Sequence, residues 1–331
     1  YNSIFFPVAD IISSLTLGFV VLYGGYSIIN GNHFTSVGDL FSYTMFITML
    51  FNPLRQIADK FNEMQMGMIS ANRVFEIIDT TVEVQNQGTL EASRLKGSIV
   101  FDKVVFSYVE NENVLKGISF EVNAGETIAI VGATGAGKST IINLLNRFYE
   151  IKSGKITIDN QDINDFTLSS LRKQIAVVLQ DVFLFADTIY NNITLNNPNI
   201  TENQVIEAAK QIGIHDFIMS LPEGYQYNVK ERGIMLSSGQ RQLIAFLRAY
   251  LGNPSILILD EATSSIDTYS EELIQKATET ITKNRTSIVI AHRLATIMNA
   301  TKIIVMDKGE IVEMGNHNQL ITIENGFYKN L

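Results

Sequence analysis

GATGAGKST, Gly132 to Thr140, stands between the apolar run TIAIV and the helical pattern TIINLLNRF. It matches G-x-x-x-x-G-K-[ST] in the strand, loop, helix setting that this motif requires. Gly132, Thr134, Gly135 and Gly137 supply backbone that wraps a phosphate, and the N–H groups and dipole of the helix entered through Thr140 bind it. Lys138 neutralises the β/γ charge, and Ser139 offers a hydroxyl to Mg2+. A glycine-rich turn without function is the alternative, and the flanking strand and helix weigh against it.

Outward from this loop, the chain past Gly97 reads as short apolar runs separated by helical patterns, which predicts an α/β domain with a largely parallel sheet. TIAIVG, IAVVLQ, SILILDE, TSIVIAH and KIIVMD are the strand candidates, each a continuous apolar run suited to burial on both faces. A nucleotide site also needs a carboxylate from a neighbouring strand, and ILILDE supplies Asp260 with Glu261 directly after it. Asp260 is placed to hold Mg2+ through water, and Glu261 to polarise an attacking water. Two adjacent acids without a role are a costly way to finish a sheet, although one of them capping the next helix is an alternative. LSSGQ, Leu236 to Gln240, precedes an apolar-periodic run starting at Arg241. Ser and Gly are favoured helix N-caps, and a helix start also suits an anion supplied from elsewhere. Position alone leaves both readings open.

The 331 residues give room for about two domains. A net charge of -9 and a pI near 5.0 exclude the basic surplus that non-specific binding of nucleic acid needs. Without cysteine there are no disulfides or thiolate metal sites. Hydrophobic residues make up 46%, and the surplus sits at the N-terminus, where only Asp10 and Asp39 are charged as far as Leu54. Ile11 to Ile29 has the length for a bilayer core of roughly 30 Å. Leu40 to Leu54 is short for a span unless it continues into the amphipathic stretch beyond it. The intervening NGNHFTSVGD has no Lys or Arg, and Arg55, Lys60 and Arg73 come after the second run, so the C-terminal side is expected in the cytoplasm. A signal peptide would want a basic start and a small-residue cleavage site, and neither is evident. From Arg55 to about Ile78 the apolar spacing is helical, and its methionines read as packing. The expected organisation is a partial transmembrane domain over 1–78, a linker over 79–97 and a nucleotide-binding domain over 98–331.

With these elements in this order, the sequence resembles the ATP-binding cassette (ABC) family, in the layout of exporters that fuse membrane and ATPase parts in one chain. The resemblance covers the whole chain, with the hairpin and its helix looking like the fifth and sixth spans of a six-span exporter half. It implies an α/β P-loop NTPase with a RecA-like core, an antiparallel β subdomain and a helical subdomain, preceded by an α-helical transmembrane hairpin. Tyr108 matches the aromatic that stacks on adenine, and Gln180 the glutamine that reaches Mg2+ and the attacking water. His292 matches the histidine at the γ-phosphate and Asp267 a dimer-contact aspartate. Standing alone, Tyr108 and His292 would both read as structural. The stretch after Gln180, FLFADTIYNNI, resembles exporters, and Val229 to Gly233 looks like the segment that touches a partner's intracellular loops. LSSGQ is similar to the signature LSGGQ, whose helix points at the γ-phosphate held by an opposing ATPase domain. By that likeness Ser237 supplies a hydroxyl, Gly239 an N–H and Gln240 a contact near the ribose. The implied cofactors are ATP and Mg2+, with membrane lipid and a drug, lipid or peptide substrate as further partners.

Ser238 departs from the pattern, since the family most often has Gly there. A side chain could crowd the γ-phosphate or restrict the backbone. With Glu261 and His292 retained, the chain resembles one subunit of a heterodimer whose partner has a regular signature and a weakened acid; a homodimer with a tolerated serine is the alternative. Because the first residue is Tyr1 and about two spans of six are present, the sequence reads as a C-terminal fragment, not expected to transport alone. Rival classes are a soluble ABC ATPase and a module that holds ATP without hydrolysing it.

Overall fold

The computed structural model describes residues 2–30, 36–82, 84–260, 268–291 and 294–330, and the chain divides into two compact units, Tyr1–Val82 and Glu83–Leu331. The first holds α1 (Asn2–Ile29) and α2 (Val37–Asp79). Ser36 starts α2 with a reciprocal cap: its hydroxyl accepts from the Asp39 N–H at 3.2 Å, and the Asp39 carboxylate accepts from the Ser36 N–H at 2.9 Å. The two helices meet closely at Gly24, where a Cβ would lie 2.6 Å from Leu40 Cδ1. Much of the apolar surface of α1 faces outward instead, with Phe19, Leu22 and Ile29 at 69, 71 and 85% exposure. Such a surface is unusual in contact with water.

Asp10–Ile29 is long and apolar enough to cross a membrane by length and composition, the one such segment among the described residues. The second run continues into the stretch that follows it. Leu40 to Leu54 continues through Pro53, which donates no bond to the preceding turn, into the charged residues beyond, all within α2. No stretch of that helix meets the same measure.

The second unit begins with β1 (Ile99–Phe106), β2 (Leu115–Val122), β3 (Thr127–Gly132) and α3 (Lys138–Leu145). It continues through β4 (Ser153–Ile158), β5 (Gln161–Asp162), α4 (Leu168–Gln174) and β6 (Ile175–Val178). Next is a helical stretch: α5 (Ile189–Thr194), α6 (Glu202–Ile212), α7 (His215–Met219) and α8 (Ser238–Leu251). The chain then returns through β7 (Ile256–Asp260), α9 (Thr268–Thr282), β8 (Thr286–Ile290) and α10 (Leu294–Asn299). Last come β9 (Lys302–Asp307), β10 (Glu310–Gly315) and α11 (His317–Ile321).

Two sheets organise these elements. An antiparallel sheet has the order β2-β1-β4-β5, and a larger one the order β10-β9-β3-β8-β7-β6. In the larger sheet β9, β3, β8, β7 and β6 are mutually parallel, and β10 runs antiparallel at one edge. All five strand candidates lie in its parallel part. Ile128 and Ile130 of β3 enter the core shared with the antiparallel sheet and α3, whereas Ala129 and Val131 enter the core shared with the helical stretch. Burial on both faces is why these strands read as unbroken apolar runs.

Residues 88–98 lie along this second unit. Leu90 bridges to Phe166, and the Ala92 N–H donates to Ser170 Oγ at 2.9 Å. Asp159 then gathers three successive N–H groups, those of Lys96, Gly97 and Ser98, at 2.7, 3.0 and 2.9 Å. Its carboxylate pins the entry of the chain to the turn after β4. Asp159→Ala is expected to destabilise the protein by about 2–3 kcal/mol, a fall in Tm of roughly 4–10 °C in thermal unfolding of the purified protein. A fall below about 1 °C would show that water replaces the carboxylate.

Candidate functional site

The loop from Gly132 to Thr140 closes at the C-terminal end of β3 and opens α3. Its two tightest glycines are set by the backbone: Gly132 (φ 147°), where a Cβ would fall 2.2 Å from Met306 O, and Gly137 (φ 100°), where one would fall 2.8 Å from Leu115 Cδ2. Gly137 also occupies the cap position of α3 and offers no side chain to its first N–H groups. That helix start is therefore left open to an external anion.

Lys138 is buried, and its Nζ donates to the loop's own carbonyls, Gly132 O at 2.7 Å and Ala133 O at 3.0 Å. Burial pushes its pKa down, and the nearby Asp260 carboxylate works in the opposite direction. Asp260 ends β7, in register with Ile290 of β8, and so lies one strand beyond the neighbour of β3. Thr134, Gly135, Gly137, Lys138, Ser139 and Thr140 line a cleft of about 580 Å³ together with Tyr108, Gln180 and Asp260. Most of the expected phosphate and metal residues thus share one opening.

Tyr108 stands at its rim, 47% exposed. Its ring meets Phe106 and Tyr149 edge-on at centroid distances of 4.8 and 4.9 Å. Its hydroxyl donates to Thr140 Oγ1 at 3.3 Å and accepts from Asn143 Nδ2 at 3.0 Å. Asn143 and Tyr149 carry no motif that would mark them in the sequence. Asn143 lies on the same helix as Thr140, three residues on, a spacing at which side chains are neighbours.

LSSGQ lies elsewhere. Ser237 caps α8, its Oγ accepting from the Gln240 N–H at 3.2 Å while Gln240 Oε1 accepts from the Ser237 N–H at 3.0 Å. The helix-cap reading therefore holds in full. Gln240, expected near a ribose, commits its carboxamide oxygen to that cap. The N–H groups of Ser238 and Gly239 make no bond among the described residues. Ser238 is exposed and has no positive φ, so its backbone carries no strain. The concern that a serine restricts the backbone there is removed; what remains is its hydroxymethyl group.

Ser238 lines a second groove, of about 950 Å³, with Phe183, Lys230, Arg232 and Arg241. Gln180 borders both this groove and the first cleft, while none of Ser237, Ser238, Gly239 or Gln240 lines that cleft. Val229 is buried and its N–H donates to Asp187 O at 3.1 Å, which leaves Lys230 to Arg232 exposed along the groove. Glu261, Asp267 and His292 lie outside the described residues.

Residues 115–264 match the family described as ABC transporter. An uncharacterized ABC transporter ATP-binding protein of Bacillus subtilis is 42% identical over 331 residues, 100% of this chain and 54% of that protein. An ATP-dependent lipid A-core flippase of Syntrophus aciditrophicus is 42% identical over 329 residues, 99% of this chain and 54% of that protein. Among solved structures, a bacterial Atm1-family ABC exporter with ATP bound aligns with a TM-score of 0.72 and 39% identity, over 99% of this chain and 56% of that one. The chain spans about half the length of the curated relatives it matches.

Proposed function

The chain belongs to the ABC transporter family, and from that premise we propose that it is the ATP-hydrolysing part of an exporter subunit, which drives a drug, lipid or peptide out of the cytoplasm. The observation that carries this reading is the uncapped start of α3 with Lys138 and Asp260 in the same cleft. A triphosphate entering there meets free N–H groups, the dipole of α3 and one buried cation. Lys138 exchanges two carbonyl partners for phosphate oxygens, which returns its proton to a favourable field. Tyr108 supplies a face for the base, held by its hydroxyl to the helix that binds the phosphates.

Ser139, Gln180 and Asp260 line the cleft, and their hydroxyl, carboxamide and carboxylate oxygens would make a set that suits Mg2+. When bound, that ion would neutralise charge on the phosphoryl group. Glu261 is assigned to orient the attacking water and His292 to touch the γ-phosphate, both from their match to the family pattern. Hydrolysis here is a matter of positioning and electrostatics more than of covalent chemistry.

The separation of LSSGQ from the cleft supports assembly with a second ATPase domain, whose phosphates would meet the open N–H groups of Ser238 and Gly239. ATP would then hold the pair closed until its γ-phosphate is lost. We assign the partner as a different subunit with a regular signature and a weakened acid. One observation favours the second reading, a homodimer: Ser238 sits at the start of α8 without backbone strain. The exposed apolar surface of α1 supports a membrane location, and the hairpin is completed by extending the Leu40 to Leu54 run into the rest of α2, with the ATPase unit in the cytoplasm.

The full-length subunit, purified alone into lipid vesicles and assayed for phosphate release, tests this. The expected result is slow turnover that rises at least about tenfold when a partner is co-expressed. Robust substrate-stimulated turnover by the single subunit would establish the homodimer instead, and recovery of the protein outside the membrane fraction would remove the export reading.

A further inference from the structure

Gln180 sits on a segment held by packing and not by hydrogen bonds, with Val182 partly buried against the core. Residues 180–184 make no hydrogen bond among the described residues, although Gln180 borders both the nucleotide cleft and the groove at Ser238. One end of the segment adjoins β6. The other is fixed at Leu184, which is fully buried against Gly233, and at Phe185, whose backbone is gripped by a single side chain.

That side chain is Asn192, 1% exposed. Its Oδ1 accepts from the Phe185 N–H at 2.8 Å, and its Nδ2 donates to Phe185 O and to Thr188 O, each at 3.0 Å. The amide thus meets Phe185 as an antiparallel strand would, through donor and acceptor together. Its backbone carbonyl accepts in turn from Arg248 Nε at 2.9 Å. Arg248 belongs to α8, the helix that LSSGQ opens, and its Nη2 is buried without a partner. A cation placed there at the expense of one unmade bond is aimed at the Asn192 carbonyl rather than at solvent. One asparagine therefore ties the far end of the Gln180 segment, α5 and α8 into a single body.

We propose that Asn192, backed by Arg248, is a positioning residue that keeps Gln180 in register with the LSSGQ helix. The proposal rests on the reading of Gln180 as the residue that reaches the attacking water. Asn192 touches no nucleotide; it acts by fixing where the loop leaves the core. Loss of the clamp leaves Phe185 with only the Asp187 N–H bond to its carbonyl, at 2.8 Å, and lets Gln180 sample positions away from the cleft, while Tyr108 and the loop around Lys138 keep their geometry.

The test is a double-variant cycle in the complete transporter in lipid vesicles, with ATP binding and phosphate release read separately. Asn192→Ala is expected to lower kcat about tenfold and to leave KM for ATP within about twofold. In a Gln180→Ala background the same change is expected to leave kcat unaltered, because Asn192 acts only through Gln180. A full further loss in the double variant overturns the proposal, as does an Asn192→Ala variant that loses ATP affinity as much as turnover. If Gln180→Ala alone retains full kcat, the reading of Gln180 falls and the proposal with it, an outcome distinct from independent losses at the two positions. Should Asn192→Ala not assemble, Asn192→Asp keeps the acceptor for Phe185 and carries the same cycle.

Discussion

Lys138→Met is expected to abolish nucleotide binding along with hydrolysis, lowering phosphate release by the complete transporter at least about a thousandfold. The side chain is buried, and it is the cation that lines the cleft. Methionine keeps most of the aliphatic volume, so the loop should close as before. What is lost is the charge that meets the triphosphate and the donors now held by Gly132 O and Ala133 O at 2.7 and 3.0 Å. Those two carbonyls then point at a methyl group and, when nucleotide arrives, at phosphate oxygens of like polarity. Binding of a fluorescent ATP analogue separates this from a purely catalytic effect: affinity should fall by at least about a hundredfold, or some 2.7 kcal/mol. A variant that still binds ATP at wild-type affinity would show that the open N–H groups of α3 suffice.

The parts of this site that could be read in sequence are those where a local rule has one physical outcome. A glycine-rich loop after a buried strand must turn sharply and must leave the next helix uncapped, and Gly132 and Gly137 do both. The five apolar runs could be taken for strands because burial on both faces of a parallel sheet removes the alternation that would otherwise mark an exposed side. Asp260 was legible for the same reason, as the first charge to interrupt such a run.

Contacts made at a distance were not legible. Tyr149 lies just past the helix that carries Lys138, but its edge-on meeting with Tyr108 depends on how β1 and that helix are brought together. The pair Asn191 and Asn192 is harder still. The two residues are adjacent, and only the direction of each side chain in α5 separates Asn191, bound to Asp187 Oδ1 at 2.9 Å, from Asn192, which turns inward to Phe185. LSSGQ shows a third kind of limit. Its cap uses the Gln240 N–H and leaves those of Ser238 and Gly239 open among the described residues, so the cap does not preclude the proposed anion site. The second apolar run is undecided by composition, since Leu40 to Leu54 ends at Arg55 short of span length while its helix continues through Pro53 into charged residues.

Glu261→Gln is expected to have an opposite signature to Lys138→Met: ATP affinity retained within about threefold, hydrolysis lowered at least about a hundredfold, and a closed assembly that persists with ATP. The reasoning starts from β7. Its pairing with β6 and β8 is in register as far as Val178, Leu259 and Asp260, so the strand delivers Asp260 to the cleft in a fixed position. Glu261 follows Asp260 directly in the sequence and is assigned here from the family pattern. A carboxylate there can accept a proton from water, whereas the carboxamide of glutamine has almost the same size and no such basicity. Binding should survive because the contacts to the triphosphate come from Lys138 and from the start of α3, which the substitution does not touch. Under the proposed pairing of two ATPase domains by ATP, a site that binds and does not hydrolyse should accumulate in the closed form, visible as a crosslink or a mobility shift between subunits. If phosphate release by the variant stays near the wild-type rate, the base lies elsewhere, and Asp260, the carboxylate that lines the cleft, becomes the residue to replace next.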